Sequence, residues 1–289
     1  MARDSTAAPA DRSPASASKS AFPWIFTAVF AVSVVLSLRA AQVDPRPLVE
    51  GAALANVVKF VRGMFPPQLS GEFLGLMLRP ALETVQISVM GTAIAILIGV
   101  PLGLVATSSL TWRGVLHERA SRVGRWALGF VPYILARGVL SVFRSIPEYV
   151  WAFMFVRAVG LGPFPGVLAI GVAYGGMLGK VYSEILDGVN PGPLETLQAA
   201  GASRLGVVLY GLVPQALPNV IAYTLYRWEC AIRASAILGL VGAGGLGQQI
   251  ELSMRFFKFD EVVTLLGMLL CLVGAVDFVS GRLRARLTR

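Results

Sequence analysis

The sequence predicts an all-α integral membrane protein with about six transmembrane helices, and three observations carry that prediction. Hydrophobic residues make up 55% of the 289 and charged residues only 14%, against about 25% in a soluble domain, so no soluble fold of this size could hide the apolar surface. The mean hydropathy is +0.70. The apolar residues fall in runs long enough to cross a ~30 Å hydrocarbon core as helices. An excess of 25 Lys+Arg over 16 Asp+Glu, a net +9, would suit nucleic acid or a membrane; the hydropathy selects membrane lipid and excludes nucleic acid. Cys230 and Cys271 both lie in apolar stretches, which argues against a disulfide framework or a metal site. The one histidine, His117, leaves His-based catalysis little to use.

Residues 1–21, rich in Ala, Ser and Pro, have no apolar period and predict a disordered tail. Phe22–Leu38 is too long, and too far from the start, for a secretory signal, and predicts an uncleaved first span. Asp44–Arg79 carries Pro45, Pro47, Pro66 and Pro67 among charges and predicts an extramembrane segment with a short amphipathic helix at Ala52–Met64. Residues 22–79 thus form one region, and a core follows over 80–282. Ala81–Ala106 predicts the second span. After a basic stretch (Arg113, His117, Arg119, Arg122, Arg125), Trp126–Ala136 predicts an interfacial elbow, and Arg137–Val159 a third span kinked at Pro147. The fourth span runs from the Gly160–Pro165 turn to Leu186, and Asp187–Gly211 is less hydrophobic. Gln215–Leu238 is the fifth span, Gly239–Lys258 a glycine-rich connection with an amphipathic end, and Glu261–Gly281 the sixth, before a basic tail at 283–289.

Counting Lys and Arg near span ends gives twelve on one face against six on the other, which places the N- and C-termini in the cytoplasm. The 187–211 loop then faces the cytoplasm and Gly239–Gly247 the outside.

That loop reads Glu195-Thr-Leu-Gln-Ala-Ala-Gly201-Ala-Ser203, followed by Val213-Pro214 and Leu217-Pro218. It resembles the "EAA" coupling loop of bacterial ABC-importer permeases, with Thr196 and Leu197 in place of the two alanines. Arg144-Ser-Ile-Pro147-Glu148, Gly160-Leu-Gly-Pro-Phe164, Gly176-Met-Leu-Gly-Lys180 with Glu184, Arg227-Trp-Glu229, and Arg233 through Gly247 look like the phosphonate-importer permease, a type I (MetI-like) fold. The resemblance covers about residues 80–282. It implies a multi-pass protein of the bacterial inner membrane that works as a homodimer with two copies of a cytoplasmic ABC ATPase and an extracytoplasmic binding protein. The cargo it implies is phosphonate or a related phosphorus oxyanion, with methionine, phosphate or phosphite as the alternatives. It also implies coupling to the ATPase through Glu195, Ala199, Ala200, Gly201, Ala202, Ser203 and Arg204, on a surface helix over 195–210. The chain itself would bind no cofactor; ATP and Mg would sit on the partner ATPase.

The residues agree with that division. Gly179-Lys180 lacks the earlier Gly and the following Ser or Thr of a P-loop. Gly242-Ala-Gly244-Gly245-Leu-Gly247 fits G-x-G-x-x-G but follows a membrane helix instead of a strand; it predicts a chain reversal near the outer face where two subunits pack at a gate. Three opposite-sign pairs at i,i+4 spacing share a helix face: Arg144/Glu148, Lys180/Glu184 and Glu229/Arg233. Ionisable groups inside spans are functional candidates until a partner is found. Arg233, near the glycine turn, has two roles open to it: pairing with Glu229, or contact with the passing anion. A membrane-embedded enzyme of phospholipid metabolism would need a clustered nucleophile, His or carboxylate constellation, and these charges are scattered as helix pairs. A non-catalytic scaffold is the third class; co-purification with an ATPase separates transport from both.

Overall fold

The computed structural model describes residues 22–41, 51–112 and 129–287. The 1–21 tail, the Asp44–Glu50 part of the first extramembrane segment, the basic Arg113–Arg125 stretch with His117, the start of the elbow at Trp126 and the terminal Arg289 lie outside them. Every regular element among the described residues is helical. The chain divides into two units, residues 1–59 and 60–289.

In the first unit, α1 (Phe22–Ala40) is exposed wherever its side chains are described, as suits an apolar helix in lipid. Its apolar stretch Trp24–Ala40, 17 residues long, sits at the lower limit for crossing a ~30 Å core. α2 (Gly51–Gly63) is the expected amphipathic helix and straddles the division.

The second unit holds the membrane core. α3 (Gly71–Val105) starts ten residues before the predicted second span, because Ser70 caps it by accepting the Phe73 N–H and Pro80 lies inside the helix instead of bounding it. One turn, α4 (Ser108–Thr111), follows. α5 (Val131–Ser145) begins inside the predicted elbow, and α6 (Glu148–Val159) meets it at 87°, so the predicted third span is broken, not kinked. The cause is local: Pro147 pushes the preceding Ile146 out of the helical region, to ψ 120. α7 (Pro163–Asp187) is the central helix and the most deeply buried of the spans. α8 (Pro191–Ala199) and a single turn α9 (Arg204–Val207) come next. A π-turn at Val208–Leu212 joins α9 to α10 (Val213–Gly239), so the fifth span is continuous over Arg204–Gly239 and begins eleven residues before the predicted Gln215. α11 (Gly245–Arg255) and α12 (Phe259–Leu287) complete the fold.

α3 and α7 run parallel. Built at Gly91, Gly99 and Gly103, a Cβ would meet Ile170, Gly179 and Gly179 again with Tyr182, so partners advance together along both helices. A chain that returns to start a parallel helix must cross the bilayer once in between, which makes the bent α5–α6 pair one broken span. Four unbroken spans and this pair give five crossings in the second unit. Around α7 the core is built from small residues and two tyrosines: Ala95, Ala169, Ala173, Tyr174, Tyr182, Ala231 and Ala234 are buried together with Ile87, Ile170, Leu178 and Leu238. Small residues let helices approach closely, which is how packing rather than hydrophobicity holds helices together in lipid.

Candidate functional site

The polar residues gather at three places along the bundle. The first is where α7 hands over to α8. Asp187, the last residue of α7, accepts the Ser109 N–H at 2.9 Å and the Ser108 N–H at 3.2 Å, so it satisfies the start of α4 from a distance. Arg137 of α5 stands 3.6 Å from the same carboxylate and donates through Nε to the Ala106 carbonyl at 3.2 Å. One carboxylate thus ties the start of α4 and the middle of α5 to the end of α7. Asp187→Ala leaves two helix N–H groups and a guanidinium without their acceptor, with an expected loss of about 2–3 kcal/mol in thermal unfolding; an unchanged melting temperature would show that water replaces the carboxylate.

α8 follows at once, capped by Asn190, whose side chain accepts the Gly192 N–H at 3.1 Å. It is pinned by Leu194 and Leu197, which close over Gly211 of the π-turn. A groove of about 540 Å³ runs beside them, lined by Pro193, Thr196, Tyr210, Pro214 and Gln215 among others. The helix predicted over 195–210 ends at Ala199. Glu195 and Ala199 lie on α8, Ala200 is its C-cap, Gly201 and Ala202 form the turn, and Ser203 caps α9 by accepting the Gly206 N–H before Arg204 begins it. Gly201 has φ +84, and the Ala202 N–H bonds Leu197 O while the Gly201 N–H bonds Gln198 O, the paired closure of a Schellman motif. A Cβ on Gly201 would meet nothing within 4 Å of the chain itself, so the glycine is there for its backbone angle. All the predicted coupling residues except the half-buried Ala202 are exposed, with Leu205, Leu209 and Tyr210 exposed beside them.

The second place is the interior of the α7–α10–α12 layer. Lys180 and Glu184 pair as expected. Arg144 and Glu148 do not share a helix face: the break at Ile146–Pro147 separates them, and no ion pair joins them among the described residues. Glu229 and Arg233 share a helix but not a bond. Glu229, 7% exposed, takes Arg284 of α12 at 2.6 Å, and Arg233 faces Asp277 at 4.0 Å and donates to Cys230 Sγ at 3.5 Å. On α7 and α10, Tyr182 and Thr224 share a hydrogen bond at 2.5 Å, and Arg227 lies over the Tyr174 ring.

The third place is the glycine turn after α10. Gly242, Gly244 and Gly245 all have positive φ, and the Gly242 carbonyl accepts the Gly162 N–H at 3.0 Å. Glu83 accepts the Gly245 N–H at 3.3 Å and Thr84 the Leu246 N–H at 2.9 Å, so α3 caps α11. The expected reversal is present. Within the chain, Gly239 and Gly247 bring α10 and α11 into backbone contact. Just beyond α11, Lys258 donates to Glu261 at 2.8 Å, and that bond raises the lysine pKa above its ordinary value.

Arg137, Asp187, Glu83, Asp277 and Arg284 were not singled out as site residues, because their partners lie on other helices and no local spacing announces them. Arg227 stood in a quoted motif, and its flanking Trp228 and Glu229 gave no hint that it would face Tyr174.

Residues 124–289, more than half the chain, match the family described as "Binding-protein-dependent transport system inner membrane component". The chain belongs to this family. The permease is 40% identical over 261 residues to HtxC of Stutzerimonas stutzeri, a protein named for phosphite transport, covering 88% of this chain and 86% of that one. It is 33% identical over 256 residues to the phosphite transport system permease PtxC of the same organism, covering 89% and 86%. Its fold matches the inward-facing MetNI methionine ABC transporter with a TM-score of 0.62 at 24% identity, over 76% of this chain and 100% of that one. The permease is therefore a transport subunit of an ABC importer in the inner membrane and not an enzyme; ATP hydrolysis belongs to a separate ATPase subunit, and a substrate-binding protein is the other partner.

Proposed function

We propose that two copies of this permease form the membrane pathway of an importer for phosphite or a phosphonate. The 40% identity to a relative named for phosphite transport, over 88% of the chain, is the observation that carries the cargo. Two ABC ATPases with ATP and Mg dock on the exposed turn from Glu195 to Arg204, and an extracytoplasmic binding protein delivers the anion to the other face. The charge count supports cytoplasmic N- and C-termini, with Arg282, Arg284 and Arg286 at the inner end of α12. α8 suits force transmission: Asp187 fixes its entry, and Leu194 and Leu197 seat it on the π-turn that leads into α10, so a push on α8 reaches the span carrying Glu229 and Arg233. Lys180, Glu229, Arg233, Arg144, Glu148 and the glycine turn are the groups along that route, with Gly242, Gly244 and Gly245 forming the outer gate.

Uptake of radiolabelled phosphite, methylphosphonate, phosphate and methionine by cells carrying the whole importer tests the cargo. Phosphite or methylphosphonate accumulation is the expected result, and accumulation of methionine alone overturns it. Gly201→Leu tests the coupling route. A leucine held at φ +84 is strained by about 1–2 kcal/mol, which unwinding of the last turn of α8 relieves. Binding-protein-stimulated ATP hydrolysis is expected to fall while membrane expression persists, with Gly201→Ala milder; unchanged stimulation in Gly201→Leu removes the coupling role.

A further inference from the structure

Arg227 is a cation placed well inside a span, and among the described residues no carboxylate forms an ion pair with it. It lies twelve residues before Gly239, ~18 Å along the helix axis from the glycine turn at 1.5 Å per residue, and so near the middle of a ~30 Å core. Its guanidinium carbon is 4.0 Å from the centre of the Tyr174 ring, and an Nη donates to the Met177 sulfur. Its Nε is buried with no hydrogen-bond partner among the described residues. The other basic groups of the bundle are accounted for differently. Arg137, Lys180, Arg233 and Arg284 each face a carboxylate. Arg157 and Arg282 lack one among the described residues but are exposed near helix ends, where a long side chain reaches the interface. Arg144 lacks one too, at the α5–α6 break beside Gly176 of α7, but its side chain is exposed where Arg227 has a buried Nε. The acid closest to Arg227 in sequence, Glu229, is taken by Arg284. An unpaired cation at this depth is costly, and such a group marks a route for charge through the bilayer.

We propose that Arg227, held on the Tyr174 ring, is the midway contact for the transported oxyanion, a role that rests on the phosphorus-oxyanion cargo argued above. A guanidinium stacked on a ring uses its face for the ring and keeps its edge N–H donors for an oxyanion, which they match in pairs. Tyr174, 3% exposed in the core of α7, fixes where that edge sits. A single cation shared with a ring attracts the anion without caging it, as a pathway contact must.

The complete importer, with its ATPase and binding protein, reconstituted in vesicles and offered radiolabelled phosphite or methylphosphonate, tests the role. Arg227→Met is expected to lower uptake about tenfold or more, since a charged hydrogen-bond donor is lost. Its thermal stability is expected to stay level or rise, because an unpaired cation has been removed from the span. Binding-protein-stimulated ATP hydrolysis continues, with less substrate moved per ATP. Arg227→Lys retains intermediate uptake, and Tyr174→Leu, which removes the ring face, loses uptake while Tyr174→Phe, which keeps it, loses less. Wild-type uptake by Arg227→Met overturns the proposal while leaving the cargo intact. Failure of both Arg227→Met and Arg227→Lys to assemble also overturns it, because the cation is then structural. A wild-type importer that moves neither probe removes the cargo, and the role of Arg227 falls with it.

Discussion

Gly247→Ala is expected to keep the permease from assembling as a stable membrane protein. A Cβ at that position would stand 1.8 Å from the Ala236 carbonyl oxygen and 2.7 Å from its carbon. Both are backbone atoms of α10, so no side chain can turn aside; α10 and α11 must separate. Gly239 faces it across the same crossing, and there a Cβ would come within 2.6 Å of the Gln248 nitrogen. Overpacking a core commonly costs about 1–3 kcal/mol, and a clash with backbone belongs at or above the top of that range. Gly267→Ala is the control, since nothing lies within 4 Å of a Cβ built there. Thermal melting in detergent and the yield of monodisperse protein compare the two; if Gly247→Ala melts with Gly267→Ala, the α10–α11 crossing is not as close as described.

The glycines were legible in the sequence as a turn, and their positive φ angles bear that out. That Gly239 and Gly247 bring α10 against α11 was not legible, because a glycine pattern gives spacing along a chain and not the identity of what approaches it. The spans follow the same division. Hydropathy found α7 and α12 nearly whole, since lipid demands unbroken apolar runs. It missed the first ten residues of α3 and the start of the fifth span, because charges and prolines mark the end of lipid contact without ending the helix. Pro147 was legible as a disturbance, but the size of the bend depends on Ile146 leaving the helical region. In the turn after α8, Gly201 is legible in the sequence as a turn residue, and the Schellman closure supplies its backbone reason. Pairing rules for a helix face found Lys180–Glu184 and failed for Glu229, whose partner comes 55 residues later.

That failure sets the ranking of charge variants. Arg284→Met leaves the carboxylate of Glu229 buried without the cation that bonds it at 2.6 Å, and breaking a buried pair from one side costs about 3–5 kcal/mol. Removing the carboxylate as well, in Glu229→Gln with Arg284→Met, is expected to restore most of that loss, because no charge is then stranded. Arg233→Ala is expected to do much less. Its contact with Asp277 is 4.0 Å long, the two side chains are 50% and 45% exposed, and such pairs contribute about 1 kcal/mol or less. Had Glu229 and Arg233 been partners, the order would be reversed, with Arg233→Ala the damaging variant and Glu229→Ala its rescue. Melting temperatures of Arg284→Met, Arg233→Ala and the double variant in the same detergent separate the two arrangements. A larger loss in Arg233→Ala than in Arg284→Met would return Glu229 to its neighbour on α10 and free Arg284 from the buried pair.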